Sequence, residues 1–175
     1  MIGKQLYITS ADALNRAIMP VANSEEAAIV KKPARRTCLW TSSWREETQD
    51  SAWVEWCQGN DFRKPYNLDW YLLTPEADAK LYVIDSLADL HELLHAYPWD
   101  QPKWREYGFS RTAIDFEKLA LEHDGIWLTE QGNEETHLGY PDDLNAWDCE
   151  CVLWFKWRFT EVQKIETPQP VLSEE

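Results

Sequence analysis

Residues 146–157 read AWDCECVLWFKW, and this stretch decides the fold because its apolar half predicts a strand that is buried on both faces. Two carboxylates, Asp148 and Glu150, stand directly before that strand. Residues two apart in a strand face the same side, so both carboxylates are expected to point together from the strand edge, beside bulky apolar side chains. Such a pair is typical of a functional site, and equally of an ordinary strand end.

Elsewhere in the chain, the hydrophobic periodicity predicts alternating short strands and short helices. Strands are predicted at residues 6–9, 37–43, 70–73, 81–84, 126–129 and 151–160. Helices are predicted at residues 13–18, 53–59, 86–97 and 115–123. Residues 130–145 are predicted to form a polar loop, because they lack an apolar repeat.

This mixture of elements predicts an α+β fold. We expect a compact single domain with a central mixed or antiparallel sheet, arranged as two small packed sheets and flanked by short helices. The length of 175 residues is sufficient to bury one core. Residues 1–167 are expected to form that domain, and residues 168–175 to form a flexible acidic tail.

The composition predicts a globular, soluble protein of the cytoplasm. Hydrophobic residues make up 44% of the chain, which contains 11 Trp. Neither a secretory signal nor an apolar span of membrane-crossing length is apparent, so no membrane partner is expected. The four cysteines form no CxxC pair, which indicates reduced core thiols and no structural zinc site.

The formal net charge of −14 argues against general binding to a nucleic-acid backbone, because phosphate contacts require Lys and Arg. One basic cluster, formed by Lys31, Lys32, Arg35 and Arg36, precedes the second predicted strand. It is either a solvated loop or a local phosphate-binding group. The acidic remainder is compatible with a basic protein partner or with mimicry of nucleic acid.

Residues 91–95 read HELLH and match the HExxH pattern of zinc peptidases. On a helix, His91 and His95 stand one turn apart and are able to hold Zn²⁺, with Glu92 as general base. The alternative is an amphipathic helix that packs its leucines and exposes its histidines. Pro98 shortens this helix and no second motif supplies an obvious third ligand, so no metal is expected.

Three separated pieces of the sequence belong to one pattern. Residues 6–10 read LYITS, residues 38–43 read CLWTSS, and residues 148–153 read DCECVL. In this order they resemble the three motifs of ADP-ribosyltransferases, in which a strand ending in Thr-Ser, a second strand with an aromatic residue and Thr/Ser, and a catalytic Glu before an apolar strand follow one another. The resemblance implies an ADP-ribosyltransferase-like fold and NAD as the substrate.

The resemblance also implies the chemistry. Cleavage of the bond between nicotinamide and ribose develops positive charge on the ribose, as in glycoside hydrolysis. Glu150 is the catalytic residue expected to bind a ribose hydroxyl and stabilise that cation. Asp148 is expected to orient or deprotonate the acceptor, which is a macromolecule, either a protein or a nucleic acid base.

The remaining candidates are expected to bind NAD. Aromatic side chains are expected to stack on nicotinamide, hydroxyls to meet its amide or the ribose, and a guanidinium to meet the pyrophosphate. The aromatic candidates are Tyr7, Trp40 and Trp44, and the guanidinium is that of Arg36. The hydroxyl candidates are Thr9, Thr41, Ser42 and Ser43. Each also has a purely structural alternative, since aromatic residues fill cores and Thr/Ser clusters form turns.

Two competing functions stay open. The first is a non-catalytic acidic binding protein, such as an inhibitor, an immunity protein or a nucleic-acid mimic, supported by the acidic residues 130–148. It predicts carboxylates on an exposed face and no enclosed cleft. The second is a small zinc peptidase built on His91 and His95. An ADP-ribosyltransferase of the toxin, defence or phage-effector type instead predicts a cleft that joins Tyr7, Thr41 and Glu150.

Overall fold

The computed structural model describes residues 2–10, 14, 16, 18, 20–100 and 112–168. The strands within these residues are β1 (Gln5–Thr9), β2 (Leu39–Ser43), β3 (Asp69–Pro75), β4 (Leu81–Ile84), β5 (Pro98–Trp99), β6 (Ala113–Ile114), β7 (Gly125–Leu128), β8 (Cys151–Trp154) and β9 (Phe159–Ile165). The helices within them are α1 (Ala52–Gly59), α2 (Leu87–Ala96), α3 (Phe116–Glu122) and α4 (Glu130–Thr136). Short 3-10 turns occur at Ala28–Val30 and Pro65–Asn67. None of the described helices is long and apolar enough to cross a lipid bilayer.

Seven of these strands form one mixed sheet, which confirms the α+β class. Their order is β4-β7-β8-β2-β1-β3-β9, and β5 and β6 pair separately. The β4–β7 pair is parallel, whereas the other pairs in this sheet are antiparallel. The expected central mixed sheet is confirmed, and a short β1–β2 pairing joins its two groups of strands, β4-β7-β8-β2 and β1-β3-β9.

That β1–β2 pairing covers only one end of each strand. Gln5 lies opposite Ser43 and Leu6 lies opposite Ser42, and the register continues no further. Beyond this point β1 pairs with β3 alone, and β2 pairs with β8 alone. The two central strands therefore separate, and the sheet opens between them.

Strand β8 lies in the middle of the larger group of strands, and all four of its residues are buried. Its Leu153 packs in a cluster with Ile126 of β7 and with Leu90 and Leu93 of α2, all of which are fully buried. Burial of such side chains stabilises the fold by roughly 1.5–3 kcal/mol each. The apolar run in the sequence thus becomes a strand that is buried on both faces, as its composition predicts.

Two predicted elements differ from the structure. The predicted strand 151–160 is two strands, β8 and β9, because the backbone bends at residues 155–156 between them. The predicted polar loop 130–145 contains helix α4, which begins after Thr129, whose hydroxyl accepts from the Gly132 N–H at 2.9 Å. A capping hydroxyl and close packing form this helix without an apolar repeat.

Two further predictions concern the ends of the described chain. The helix expected at residues 13–18 falls on a segment of which only residues 14, 16 and 18 are described, so most of it lies outside the described residues. The acidic tail expected at residues 168–175 also lies outside them, apart from Pro168.

Helix α4 approaches the end of β4 at a glycine, which generates a test of the fold. A Cβ atom on Gly132 would lie 2.0 Å from the Ile84 carbonyl oxygen, so Gly132→Ala forces the backbone apart. We expect the free energy of unfolding to fall by about 3 kcal/mol. Gly59→Ala is the matched control, since its Cβ meets no atom within 4 Å. Urea denaturation of both variants measures the difference, and equal stabilities would contradict the close packing.

Candidate functional site

The three sequence motifs lie side by side in the sheet. They fall on β1, on β2 and at the start of β8, which are consecutive in the strand order β8-β2-β1. Antiparallel pairing places Thr41 opposite Val152, so the same register brings Ser43 beside Glu150. Segments that are about 30 and 110 residues apart in sequence are thus brought to one place.

A cleft of about 540 Å³ lies where β1 and β2 separate. Both strands contribute to its wall, together with the segment before β8 and the residues around α1. Six of the predicted site residues line it: Tyr7, Thr9, Trp40, Thr41, Ser42 and Asp148. Of the three residues expected to share a cleft, Tyr7 and Thr41 line this one, and Glu150 is not among its lining residues.

Glu150 is buried directly behind this cleft, with 5% of its surface exposed. Its Oε2 accepts hydrogen bonds from the Ser42 hydroxyl and the Ser43 backbone N–H, each at 2.9 Å. Its Oε1 accepts from the Ser43 hydroxyl at 2.7 Å and from the Trp127 indole N–H at 2.9 Å. Four donors on two oxygens match the accepting capacity of a carboxylate, so the group is fully bonded and held in one orientation.

The hydroxyls of β2 point to protein groups in the described structure. Thr41 donates to the Gln5 side-chain oxygen at 2.8 Å and accepts from the Trp154 indole at 2.9 Å. Ser42 and Ser43 donate to Glu150. In the described structure each of these hydroxyls therefore uses its single proton to hold Gln5 or Glu150, and direct binding of a ligand by them stays a prediction.

Asp148 and Glu150 have different surroundings. Strand β8 begins only at Cys151, so the two carboxylates precede the strand and do not alternate along it. Asp148 is half-buried and lines the cleft, whereas Glu150 is buried against β2 and β7. The Asp148 carboxylate is therefore accessible from the cleft, whereas the Glu150 carboxylate is surrounded by hydrogen-bond donors of the protein.

Three predicted cofactor-binding residues are not among the described residues that line the cleft: Ser43, which bonds to Glu150, and Arg36 and Trp44. Arg36 is exposed on a turn, with a φ of 68°. Trp44 packs edge-on against the buried Trp70, with ring centroids 6.4 Å apart. Trp44 is thus a packing aromatic, and Arg36 faces solvent outside the cleft.

Two cations other than Arg36 line the cleft. Lys32, from the same basic cluster as Arg36, lies 5.6 Å from the centroid of the Trp40 ring. Arg63, from the loop after α1, also lines the cleft. Lys31 is instead buried and forms an ion pair of 3.3 Å with Asp142. The basic character of residues 31–36 gives a signal for Lys32, whereas only the tertiary structure brings Arg63 to the site.

The indole of Trp127 is a further contributor that sequence reasoning did not identify. It lies on β7, and its N–H is one of the four donors to Glu150. Trp147 similarly supports the cleft wall, because its ring contacts Trp40 edge-on at 4.8 Å. The abundance of tryptophan is the only signal in the sequence, and it does not distinguish these two from core tryptophans.

Two cysteines of the cleft wall are thiols and not nucleophilic thiolates. Burial raises the pKa of Cys38 to about 12. Burial, followed by the nearby Glu150 and Asp148, raises the pKa of Cys149 to about 12. Since the thiolate is the reactive form, neither side chain supplies a cysteine nucleophile near neutral pH.

The HExxH residues lie on α2, away from the residues of the cleft. His91 is half-buried, and both Glu92 and His95 are exposed. Within the described part of the chain, no group of three or more His, Cys, Asp or Glu side chains is arranged to hold a metal ion. Leu90, Leu93 and Leu94 of the same helix are buried, as an amphipathic packing helix requires.

Comparison of the chain with protein-family models, with curated proteins and with solved structures gives no match. The contacts around Glu150 and the composition of the cleft are therefore the basis for inferring function.

The bonding of Glu150 predicts the effect of removing one of its donors. In Ser43→Ala, Glu150 loses the 2.7 Å hydrogen bond and the Gln5 amide loses an acceptor at 3.2 Å. We expect the free energy of unfolding to fall by about 2 kcal/mol, as for hydrogen bonds to charged groups. Ser10→Ala, at an exposed serine, is the control and is expected to stay within about 0.5 kcal/mol. Thermal or urea unfolding compares the two, and an unchanged Ser43→Ala would contradict the arrangement.

The raised thiol pKa values predict slow alkylation of the native protein. With a pKa of about 12, only about one in ten thousand molecules has a thiolate at Cys38 or Cys149 at pH 8. We expect iodoacetamide to leave both residues unmodified in the folded protein during a time that fully modifies the urea-unfolded chain. Peptide mass spectrometry quantifies each site. Rapid labelling of Cys149 in the native protein would show that the thiol is not buried as described.

Proposed function

We propose that this protein is an NAD-dependent ADP-ribosyltransferase that transfers ADP-ribose to a macromolecular acceptor, a protein or a nucleic acid base, as toxins, defence factors and phage effectors of this kind do. The observation that carries the proposal is the meeting of the three resembling motifs at one cleft. Tyr7 of β1 and Thr41 of β2 line it, and the hydroxyls of β2 hold Glu150 behind it. An ADP-ribosyltransferase-like fold is part of the same proposal.

Glu150 supplies the negative charge that the reaction needs. Departure of nicotinamide leaves positive charge on the ribose, and the carboxylate of Glu150, oriented by its hydrogen-bond donors, stabilises that charge. The same donors would hold the carboxylate against movement during turnover. Glu150 then acts most strongly in the transition state, which is the condition for raising the rate of the chemical step.

A ribose hydroxyl reaches this carboxylate by replacing a serine hydroxyl. The Ser43 hydroxyl donates to Oε1 of Glu150 and belongs to a half-buried residue, so it is able to rotate away. The incoming hydroxyl donates in its place, and the carboxylate keeps four donors throughout. The exchange is nearly balanced in hydrogen bonds, which allows NAD to bind and leave.

Nicotinamide fits the opening between β1 and β2. Beyond Leu6 and Ser42 neither strand pairs with the other, so the facing strand edges are open to a ligand. A carboxamide has one acceptor and two donors, which complement peptide N–H and C=O groups. Tyr7 and Trp40 line the same region and supply aromatic faces for the ring.

The two cations of the cleft suit the pyrophosphate, and Asp148 suits the acceptor. Lys32 and Arg63 take the role first assigned to Arg36, since both line the cleft and Arg36 does not. Asp148 also lines the cleft, where it orients or deprotonates the acceptor group that attacks the ribose.

The cleft favours this enzyme over an acidic binding protein without catalysis. That alternative predicts carboxylates on an exposed face and no enclosed cleft, whereas a volume of about 540 Å³ lies beside a buried, fully bonded Glu150. For a zinc peptidase, the described residues contain no group of three or more His, Cys, Asp or Glu side chains that is arranged to bind the metal.

Glu150→Gln tests the proposal. The amide removes the negative charge and turns an NH₂ group toward protein donors, so we expect NAD turnover to fall by at least about a hundredfold. The measurement is release of nicotinamide and of ADP-ribose, with water or added acceptor. Glu134→Gln, at an exposed glutamate of α4, removes the same charge and is expected to keep wild-type turnover.

Circular dichroism and the melting temperature establish that the Glu150→Gln sample is folded, and turnover is expressed per folded protein. Asp148→Asn provides a second variant that leaves the buried hydrogen bonds of Glu150 unchanged. A folded Glu150→Gln protein with wild-type turnover, or a wild type that neither cleaves NAD nor is stabilised by it, would overturn the proposal.

A further inference from the structure

Three aromatic rings form a continuous surface at one side of the cleft, which we call the aromatic platform: Trp53, Trp56 and Phe62. The two indoles are stacked, with centroids 5.3 Å apart and an interplanar angle of 11°. Phe62 contacts Trp53 at 6.0 Å and Trp56 at 5.2 Å, both edge-on. Each ring thus supports the others, and the platform is preorganised.

The platform adjoins the carboxylate cluster. Trp53 and Phe62 line the cleft. The Trp53 backbone N–H donates to the Ser42 hydroxyl at 3.3 Å, and that hydroxyl donates in turn to Glu150. Helix α1, which begins beside Trp53, therefore holds the platform within two hydrogen bonds of the carboxylate.

The exposure and charge of the platform point to a ligand and not to packing alone. Phe62 is 53% exposed, although it is a large apolar residue in contact with two tryptophans. The Arg63 guanidinium carbon lies 5.3 Å from the centroid of the Phe62 ring, and Arg63 also lines the cleft. In a chain with a net charge of −14, an exposed guanidinium on an aromatic face is a local reversal of the overall charge.

A ligand that matches these groups is planar and carries an anion next to its ring. Bases stack on aromatic side chains whatever their sequence, because every base has a π-face. Arg pairs with phosphate through two parallel hydrogen bonds. A nucleobase with its phosphate satisfies both requirements.

We propose that the aromatic platform is a nucleotide subsite, in which a nucleobase packs against Trp53 and Phe62, stacked on one ring and edge-on to the other, and its phosphate meets Arg63. The place of this subsite in a reaction rests on the proposed function. Its nucleotide is either the adenosine half of NAD or an unpaired nucleotide of an acceptor strand, and both present the same base and phosphate to the platform.

Isothermal titration calorimetry on the whole protein tests the subsite, using AMP, ribose 5-phosphate and a single-stranded decanucleotide. We expect Phe62→Ala and Arg63→Ala each to weaken AMP binding about tenfold, and ribose 5-phosphate to bind far more weakly than AMP because it lacks the base. Tyr140→Ala is the matched control, since Tyr140 is 87% exposed and is not among the described residues of the cleft. Phe62 is already exposed, so its truncation is expected to leave the fold intact.

Competition identifies the source of the nucleotide. If AMP inhibits NAD turnover competitively and the decanucleotide does not bind, the platform holds the adenosine half of NAD. If the decanucleotide binds, becomes ADP-ribosylated and loses affinity in Phe62→Ala, the platform holds an acceptor nucleotide. The inference would be overturned if Phe62→Ala left the affinities for AMP and the decanucleotide unchanged. It would also be overturned if the protein transferred ADP-ribose to protein acceptors with no nucleotide bound at the platform. NAD turnover that depends on Glu150 would then still stand, so the two proposals fail separately.

Discussion

The bonding of the Glu150 carboxylate is the constraint on which the rest of the structure depends. A carboxylate with 5% exposure is costly unless donors surround it, and these donors come from Ser42 and Ser43 of β2 and from Trp127 of β7. The strands on both sides of β8 are thereby tied to the residue that precedes it. Their register is held by a polar cluster as well as by the apolar core.

The same cluster explains why the sheet is able to open beside it. Strands β1 and β2 separate after two pairs of residues, so no further ladder hydrogen bonds form between them. The Thr41 hydroxyl bridges to Gln5 of β1 at 2.8 Å and so secures the closed end of the opening. The polar contacts thus hold β1 and β2 together at one end, and the cleft lies where the two strands separate. Aromatic rings line the cleft together with Lys32, Arg63 and Asp148.

Much of the element pattern is predictable from local signals. The predicted strand 81–84 matches β4, and the predicted helix 86–97 differs from α2 by one residue at each end, because a short apolar run and the Ser86 cap are both local. Helix α4 is not predicted because its residues lack an apolar repeat, and its close approach to Ile84 at Gly132 joins residues far apart in sequence. The place of Arg36 outside the lining of the cleft was also not predictable, because its exposure on a turn with a φ of 68° depends on how residues 31–37 fold.

The sequence by itself determined that a strand begins at Cys151, the α+β class and the choice of Glu150 as the carboxylate to test, because period, composition and motif order are properties of the chain alone. Only the tertiary structure decided what surrounds that carboxylate. Strand pairing brings the Ser42 and Ser43 hydroxyls onto it, and brings Arg63 and Phe62 to the cleft. The physical reason is that hydrogen-bond partners and cleft walls are set by contacts between segments, which no local pattern of residues encodes.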